Sequence, residues 1–140
     1  MKTMKRILAL SLLLVMVCSS AMAAWQRDGY GWRWRKSDGT YARMEWQKIK
    51  NVWYAFDNTG YMLTGSYWID GTWYYFDASG AMATGWRLID GYWYYFTSSG
   101  AMARNCWVSG KYYVGSDGAM LTNTWTPDGY WVDQNGRWVP

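Results

Sequence analysis

From Trp73 to Phe76 the chain sets four aromatic residues in a row, Trp-Tyr-Tyr-Phe, and from Trp93 to Phe96 it does so again. A strand with one face in water alternates apolar and polar residues, because successive side chains point to opposite faces. These runs do not alternate. Either protein covers both faces, or one face is kept for a ligand. Trp73 and Tyr75 share one face, and Tyr74 and Phe76 share the other. Ahead of each run stands an Asp-Gly pair, in Ile69-Asp70-Gly71-Thr72 and Ile89-Asp90-Gly91-Tyr92. Asp-Gly between apolar runs predicts a two-residue hairpin turn. Asp77-Ala78-Ser79-Gly80 then predicts an exit turn, and Ala81-Met82-Ala83 a short link to the next unit.

The pattern repeats. Trp53, Trp73 and Trp93 stand 20 residues apart, as do Phe56, Phe76 and Phe96, and Gly60, Gly80 and Gly100. The period then shortens to 18, from Gly100 to Gly118 to Gly136. Met62, Met82, Met102 and Met120 each follow a repeat glycine by two residues, and Met44 is assigned the matching place in a degenerate first unit. A lone hairpin is not stable in water, whereas stacked units bury one another. The predicted fold is all-β, a β-solenoid of stacked β-hairpins from aromatic repeats of about 20 residues. Six units are expected, with irregular ones at about 26–46 and 125–140 acting as caps.

Composition sharpens this picture. Lys2, Lys5 and Arg6 precede the apolar run Ile7 to Val17, and Ala21-Met22-Ala23 offers small residues at a cleavage site. Residues 1–23 therefore read as a secretory signal peptide, too short to span a bilayer. Lipid anchoring at Cys18 is the alternative, disfavoured because Val17 before it is not small. Residues 24–140 form the repeat domain of a secreted protein. All 29 aromatic residues (13 Trp, 13 Tyr, 3 Phe) fall there, with few aliphatic residues to build an ordinary core. Removing three signal charges leaves 11 basic against 10 acidic residues, so the repeats are nearly neutral. Nothing in that balance indicates nucleic acid, and no second segment suggests membrane insertion. Cys106 is then the single thiol, either a small apolar filler at a missing Trp position or the link of a homodimer.

The chain contains no histidine. This removes Ser-His and Cys-His nucleophilic catalysis and the usual zinc sites. Asp57, Asp70, Asp77 and Asp90 have structural explanations as turn residues, so no catalytic residue, metal or cofactor is expected. What remains is aromatic surface. Trp and Tyr rings suit a quaternary ammonium through cation–π attraction, or sugar rings through stacking.

Thr84 to Ala103, TGWRLIDGYWYYFTSSGAMA, and Thr64 to Ala83, TGSYWIDGTWYYFDASGAMA, resemble the cell-wall-binding repeat of bacterial choline-binding proteins, related to glucan-binding repeats. SGKYYVGSDGAM and PDGYWVDQNGRWV resemble the shortened terminal repeats of such proteins. The resemblance implies a β-solenoid and a non-catalytic, cell-wall-associated binding module. Its ligand would be choline on teichoic acid, with α-glucan as the alternative, or pairing with other repeat proteins as an adaptor. It also implies cages of three rings: the Trp after Thr-Gly and the Trp of the aromatic strand from one unit, and a Tyr from the next. The matching positions are Trp86, Trp93 and Tyr113, and Trp46, Trp53 and Tyr75, with the alternation along the strand selecting which Tyr. The family's methionine would close the floor, at Met82 or Met102. Ser66 departs from the pattern by replacing a cage Trp, unless Trp68 substitutes for it, and Arg104-Asn105-Cys106-Trp107 stands where Thr-Gly-Trp is expected.

Overall fold

A computed structural model describes residues 21–140. Most of the expected signal peptide therefore lies outside the described residues. Within them the chain is all-β: thirteen short strands, no helix, and six small antiparallel sheets. No helix among them is long and apolar enough to cross a membrane.

Five sheets are two-stranded hairpins: β1 (Ala24–Arg27) with β2 (Trp32–Arg35), β3 (Trp46–Ile49) with β4 (Val52–Ala55), β5 (Gly65–Ile69) with β6 (Thr72–Phe76), β7 (Gly85–Ile89) with β8 (Tyr92–Phe96), and β9 (Cys106–Val108) with β10 (Tyr112–Val114). The sixth joins β11 (Thr124–Trp125), β12 (Trp131–Val132) and β13 (Trp138–Val139). Asp70-Gly71 and Asp90-Gly91 turn with both residues at positive φ (48° and 82°, 49° and 85°). That is the primed turn whose twist matches the strands. Lys50-Asn51 makes the same turn (48° and 65°) without glycine, a hairpin that residue type alone did not announce.

The exit turns are held by aspartates. Asp57 Oδ1 accepts the Thr59 and Tyr61 N–H groups at 2.8 and 2.9 Å, and Asp77 Oδ1 accepts those of Ser79 and Ala81 at 2.8 and 3.1 Å. The chain then returns to bridge its own aromatic strand, Phe56 to Met62, Phe76 to Met82 and Phe96 to Met102.

Successive units are joined by a recurring bond. Met62 N–H donates to the Trp32 carbonyl, Met82 to Trp53, Met102 to Trp73, Met120 to Trp93 and Trp138 to Lys111, all at 2.8–2.9 Å. Each methionine side chain also lies on the repeat glycine of the next unit. A Cβ at Gly118 would stand 2.6 Å from Met102 Cε, and one at Gly80 would overlap the Met62 thioether. The shared period of glycine and methionine is thus one contact seen from both sides. The core is thin and serial: Phe56, Phe76, Phe96 and Val114 are buried in turn, with Ala55, Leu63 and Ala83 beside them.

Two expectations about the irregular units change. The first hairpin begins at Ala24 and is regular in its pairing. Its bridge is Arg35 to Tyr41, so Tyr41 holds the methionine place, while Met44 is 77% exposed at φ 47°. In the fifth unit Trp107 pairs with Tyr113 as Trp86 pairs with Tyr95. Trp107 therefore occupies the cage-Trp position, and half-buried Cys106, opposite Val114, holds the place of Gly85. Cys106 fills no missing Trp.

Candidate functional site

Residues directly opposite in a hairpin share a face. In β7 and β8 the pairs are Trp86 with Tyr95 and Leu88 with Trp93, so these four lie together, while Tyr94 and Phe96 point the other way. In the next hairpin Tyr113 shares the face of Trp107, and Tyr112 points back. A cavity lined by these rings lies between two hairpins. Its Trp pair comes from one unit's forward face, and its Tyr must come from the backward face of the next.

That geometry brings Trp86, Trp93, Tyr112 and Met120, with Asn135, around one open cavity of about 290 Å³. The Trp86 and Tyr112 rings meet edge-on, with centroids 5.5 Å apart at 77°. Trp93 keeps 43% of its surface exposed. Tyr113, the expected ring, is 7% exposed and packs on Trp107 at 5.3 Å. The same correction applies one site earlier. Trp46 meets Trp53 at 6.5 Å and Tyr74 at 4.9 Å, whereas Tyr75 pairs with Ser66 and stacks on Phe96. Alternation within a single strand favours Tyr75 and Tyr113 because they share the Trp face. Closure by the following hairpin requires the opposite parity.

The methionines follow the same logic. Met82 is joined to the Trp53 carbonyl and packs on the same buried cluster, Ala55, Leu63 and Phe76, as Trp46 and Tyr74 do. Met102 belongs to the Trp73 cavity, and Met120 serves Trp86 and Trp93.

Two further cavities went unread in the sequence. Trp25, Trp32, Tyr54 and Met62 line about 290 Å³, with ring centroids 6.3 Å apart for Trp25 and Trp32 and 4.9 Å for Trp25 and Tyr54. The signal was present: Trp25 and Trp32 are seven residues apart, like Trp46 and Trp53 or Trp86 and Trp93. Near the end, Trp107, Tyr130 and Trp138 surround about 440 Å³, with Trp138 in the methionine place. There the Trp107 indole N–H donates to Asp128 Oδ2 at 2.8 Å. The Thr126 hydroxyl and this indole hold the Asp128 carboxyl below its ordinary 3.8.

The cages differ in what faces the second Trp. Arg27 lies over Trp32 at 5.7 Å and Lys48 over Trp53 at 5.8 Å, whereas Trp93 faces Leu88. In the Ser66 unit, Trp68 meets Trp73 edge-on at 5.5 Å, carries Arg104 at 5.6 Å, and lines a neighbouring cavity with Met44 and Trp46. It does not replace the missing wall, and the cavity around Ser66, Trp73, Tyr94 and Met102 widens to about 360 Å³.

Family models described as choline-binding repeat match residues 44–84, 85–119 and 101–138. Choline binding protein F from Streptococcus pneumoniae, solved with a peptidoglycan analogue, is 40% identical over 85% of this chain, with a TM-score of 0.76. The choline-binding domain of CbpL from the same organism is 30% identical over 84%, with a TM-score of 0.62. The modular autolysin LytC, again from S. pneumoniae and solved with a synthetic peptidoglycan ligand, is 32% identical over 84%, with a TM-score of 0.51. The chain spans 40% of the length of choline binding protein F, 33% of LytC and 76% of the CbpL domain. A search of curated proteins gives no match to the sequence.

Proposed function

Because the chain belongs to the choline-binding repeat family, we propose that it is a secreted, non-catalytic module that attaches to the bacterial cell surface by caging choline on teichoic acid. The units stack as a β-solenoid, and each groove between neighbours is a potential cage. One observation carries the reading: Trp86, Trp93 and Tyr112, drawn from two successive hairpins, converge with Met120 on one open cavity. Ring faces attract a quaternary ammonium without offering hydrogen bonds that it cannot make. The ammonium sits among the rings, and the thioether of Met120 adds a polarisable apolar contact.

The binding role needs no reaction chemistry. The carboxylates of the exit turns are engaged by backbone N–H groups, and the chain has no histidine to act as a base. The test is retention on a choline-bearing resin and elution by free choline. Elution by an α-glucan oligosaccharide with indifference to choline would replace this reading with the carbohydrate one.

A further inference from the structure

The cavity beside Ser66 differs from its neighbours in two positions at once. Ser66 stands where Trp25, Trp46 and Trp86 supply the first wall. The second change comes from two units further on. The residue before a repeat glycine lines three of the cavities: Ser79 at Trp25 and Trp32, Asn135 at Trp86 and Trp93, and Asp117 here. The cage that loses a ring is thus the one that gains a carboxylate at this place. Asp90, from the turn between β7 and β8, lines the same cavity.

We propose that the cavity between Ser66, Trp73, Tyr94 and Asp117 is a separate subsite for a protonated primary amine on a short alkyl arm. The inference rests on the reading of the neighbouring cages as quaternary-ammonium sites. A quaternary ammonium is weakly hydrated, donates no hydrogen bond and is best held by rings. A primary ammonium is a strongly hydrated point charge with three N–H donors, and leaving water requires oxygen acceptors. This cavity supplies them. Asp117 engages Oδ1 with the Ala119 N–H at 3.0 Å, which leaves Oδ2 for a ligand. Ser66 Oγ stands where the indole would be, and Trp73 remains as a ring for the charge and its alkyl arm. Burial raises the Tyr94 phenol above its ordinary 10.0, and the negative charges of Asp117 and Asp90 add to it, so Tyr94 stays neutral and its surroundings favour a cation. Two positive charges stand nearby and neither lines the cavity: Arg87, opposite Tyr94 in the hairpin, donates to the Trp86 carbonyl at 3.1 Å, and Arg104 lies over Trp68.

Two sources present this group, an aminoethyl head group and a lysine side chain, so ethanolamine and Nα-acetyl-lysine amide are both probes. Ethanolamine differs from choline only in lacking the three methyl groups. The indole N–H resonances of Trp73, Trp86 and Trp93 report each site during titration at neutral pH. The expected result is that at least one amine moves Trp73 before Trp93, and that choline does the reverse. The stronger amine identifies the source. Asp117→Asn should weaken the amine at Trp73 about three- to fivefold, the scale of one exposed charge contact, and leave choline at Trp93 unchanged. Ser66→Trp should raise choline affinity at Trp73 roughly tenfold, the worth of one ring. If that variant fails to fold, the exposed Asp117→Asn decides. The subsite is refuted if neither amine moves Trp73, if Trp73 answers choline before both amines, or if Asp117→Asn changes nothing. Indifference of Trp86 and Trp93 to choline, with the amine response intact, refutes the choline reading and leaves the subsite standing.

Discussion

Glycine and methionine recur with one period because they touch. Gly80 adopts φ 81°, and the thioether of Met62 occupies the space its side chain would need. Gly80→Ala therefore meets two costs, the left-handed backbone and displacement of a packed side chain. A loss of roughly 2 kcal/mol is expected from urea melts. Gly71, also left-handed at φ 82° but open on its Cβ side, should lose about half as much on the same change. The sequence displayed these residues plainly. It did not display parity. Tyr112 and Tyr113 are neighbours of one type, and only the stacking of hairpins tells which faces the preceding unit. Trp86→Leu and Trp93→Leu should abolish choline binding at their cage, and Tyr112→Leu should weaken it about tenfold. Tyr113→Ala should instead lower the melting temperature by removing a buried ring, with choline affinity at Trp86 and Trp93 kept in the folded fraction.

At the scale of the hairpin, turn chemistry was the most readable feature. Asp-Gly before the aromatic strand and Asp-x-Ser/Thr-Gly after it both appear as the residues require. Lys50-Asn51 was not readable, because its left-handed turn is imposed by the flanking strands and not by lysine. The exit turns carry a pH consequence. Burial pushes the Asp57 carboxyl up, but hydrogen bonds from Thr59, Tyr61 and Gly60 outweigh it, so the group lies below 3.8. The folded state binds this proton less readily than the unfolded chain. Stability is fully present above the unfolded value and is lost as pH falls through the folded one. Asp38, held down by the Thr40 hydroxyl and N–H, and Asp28, held down chiefly by the Tyr30 N–H, act in the same sense. Thermal midpoints should be level from pH 5 upward and decline below about pH 4. Asp57→Ala should cost about 1 kcal/mol at pH 7, the scale of hydrogen bonds at a half-exposed turn, and make the acid decline shallower. An undiminished decline in that variant would place the acid sensitivity elsewhere.

The whole molecule is a row of related grooves that differ in charge. Arg27 and Lys48 lie over Trp32 and Trp53, so an arriving quaternary ammonium meets a positive charge of the chain at the same ring. Leu88 faces Trp93 and places no charge there. The Trp86–Trp93 cage should therefore fill first in a choline titration, with a dissociation constant on the order of millimolar once association costs are met. The Trp46–Trp53 cage should follow more weakly. No histidine titrates and the ligand charge is permanent, so both should be insensitive to pH between about 5 and 9. On a choline-bearing polymer the second cage binds at the high effective concentration set by the first, and retention should exceed either affinity by about 100-fold or more. Lys48→Leu removes this charge beside Trp53 and should tighten the second cage about two- to fivefold. Retention on the polymer should rise by up to the same factor, because the bivalent state is proportional to the affinity of the second cage. Trp86→Leu should reduce the same retention to that of a single weak site. Equal affinity for choline and for the polymer, with no response to Lys48→Leu, would mean that one groove alone is used and that the row of hairpins serves packing.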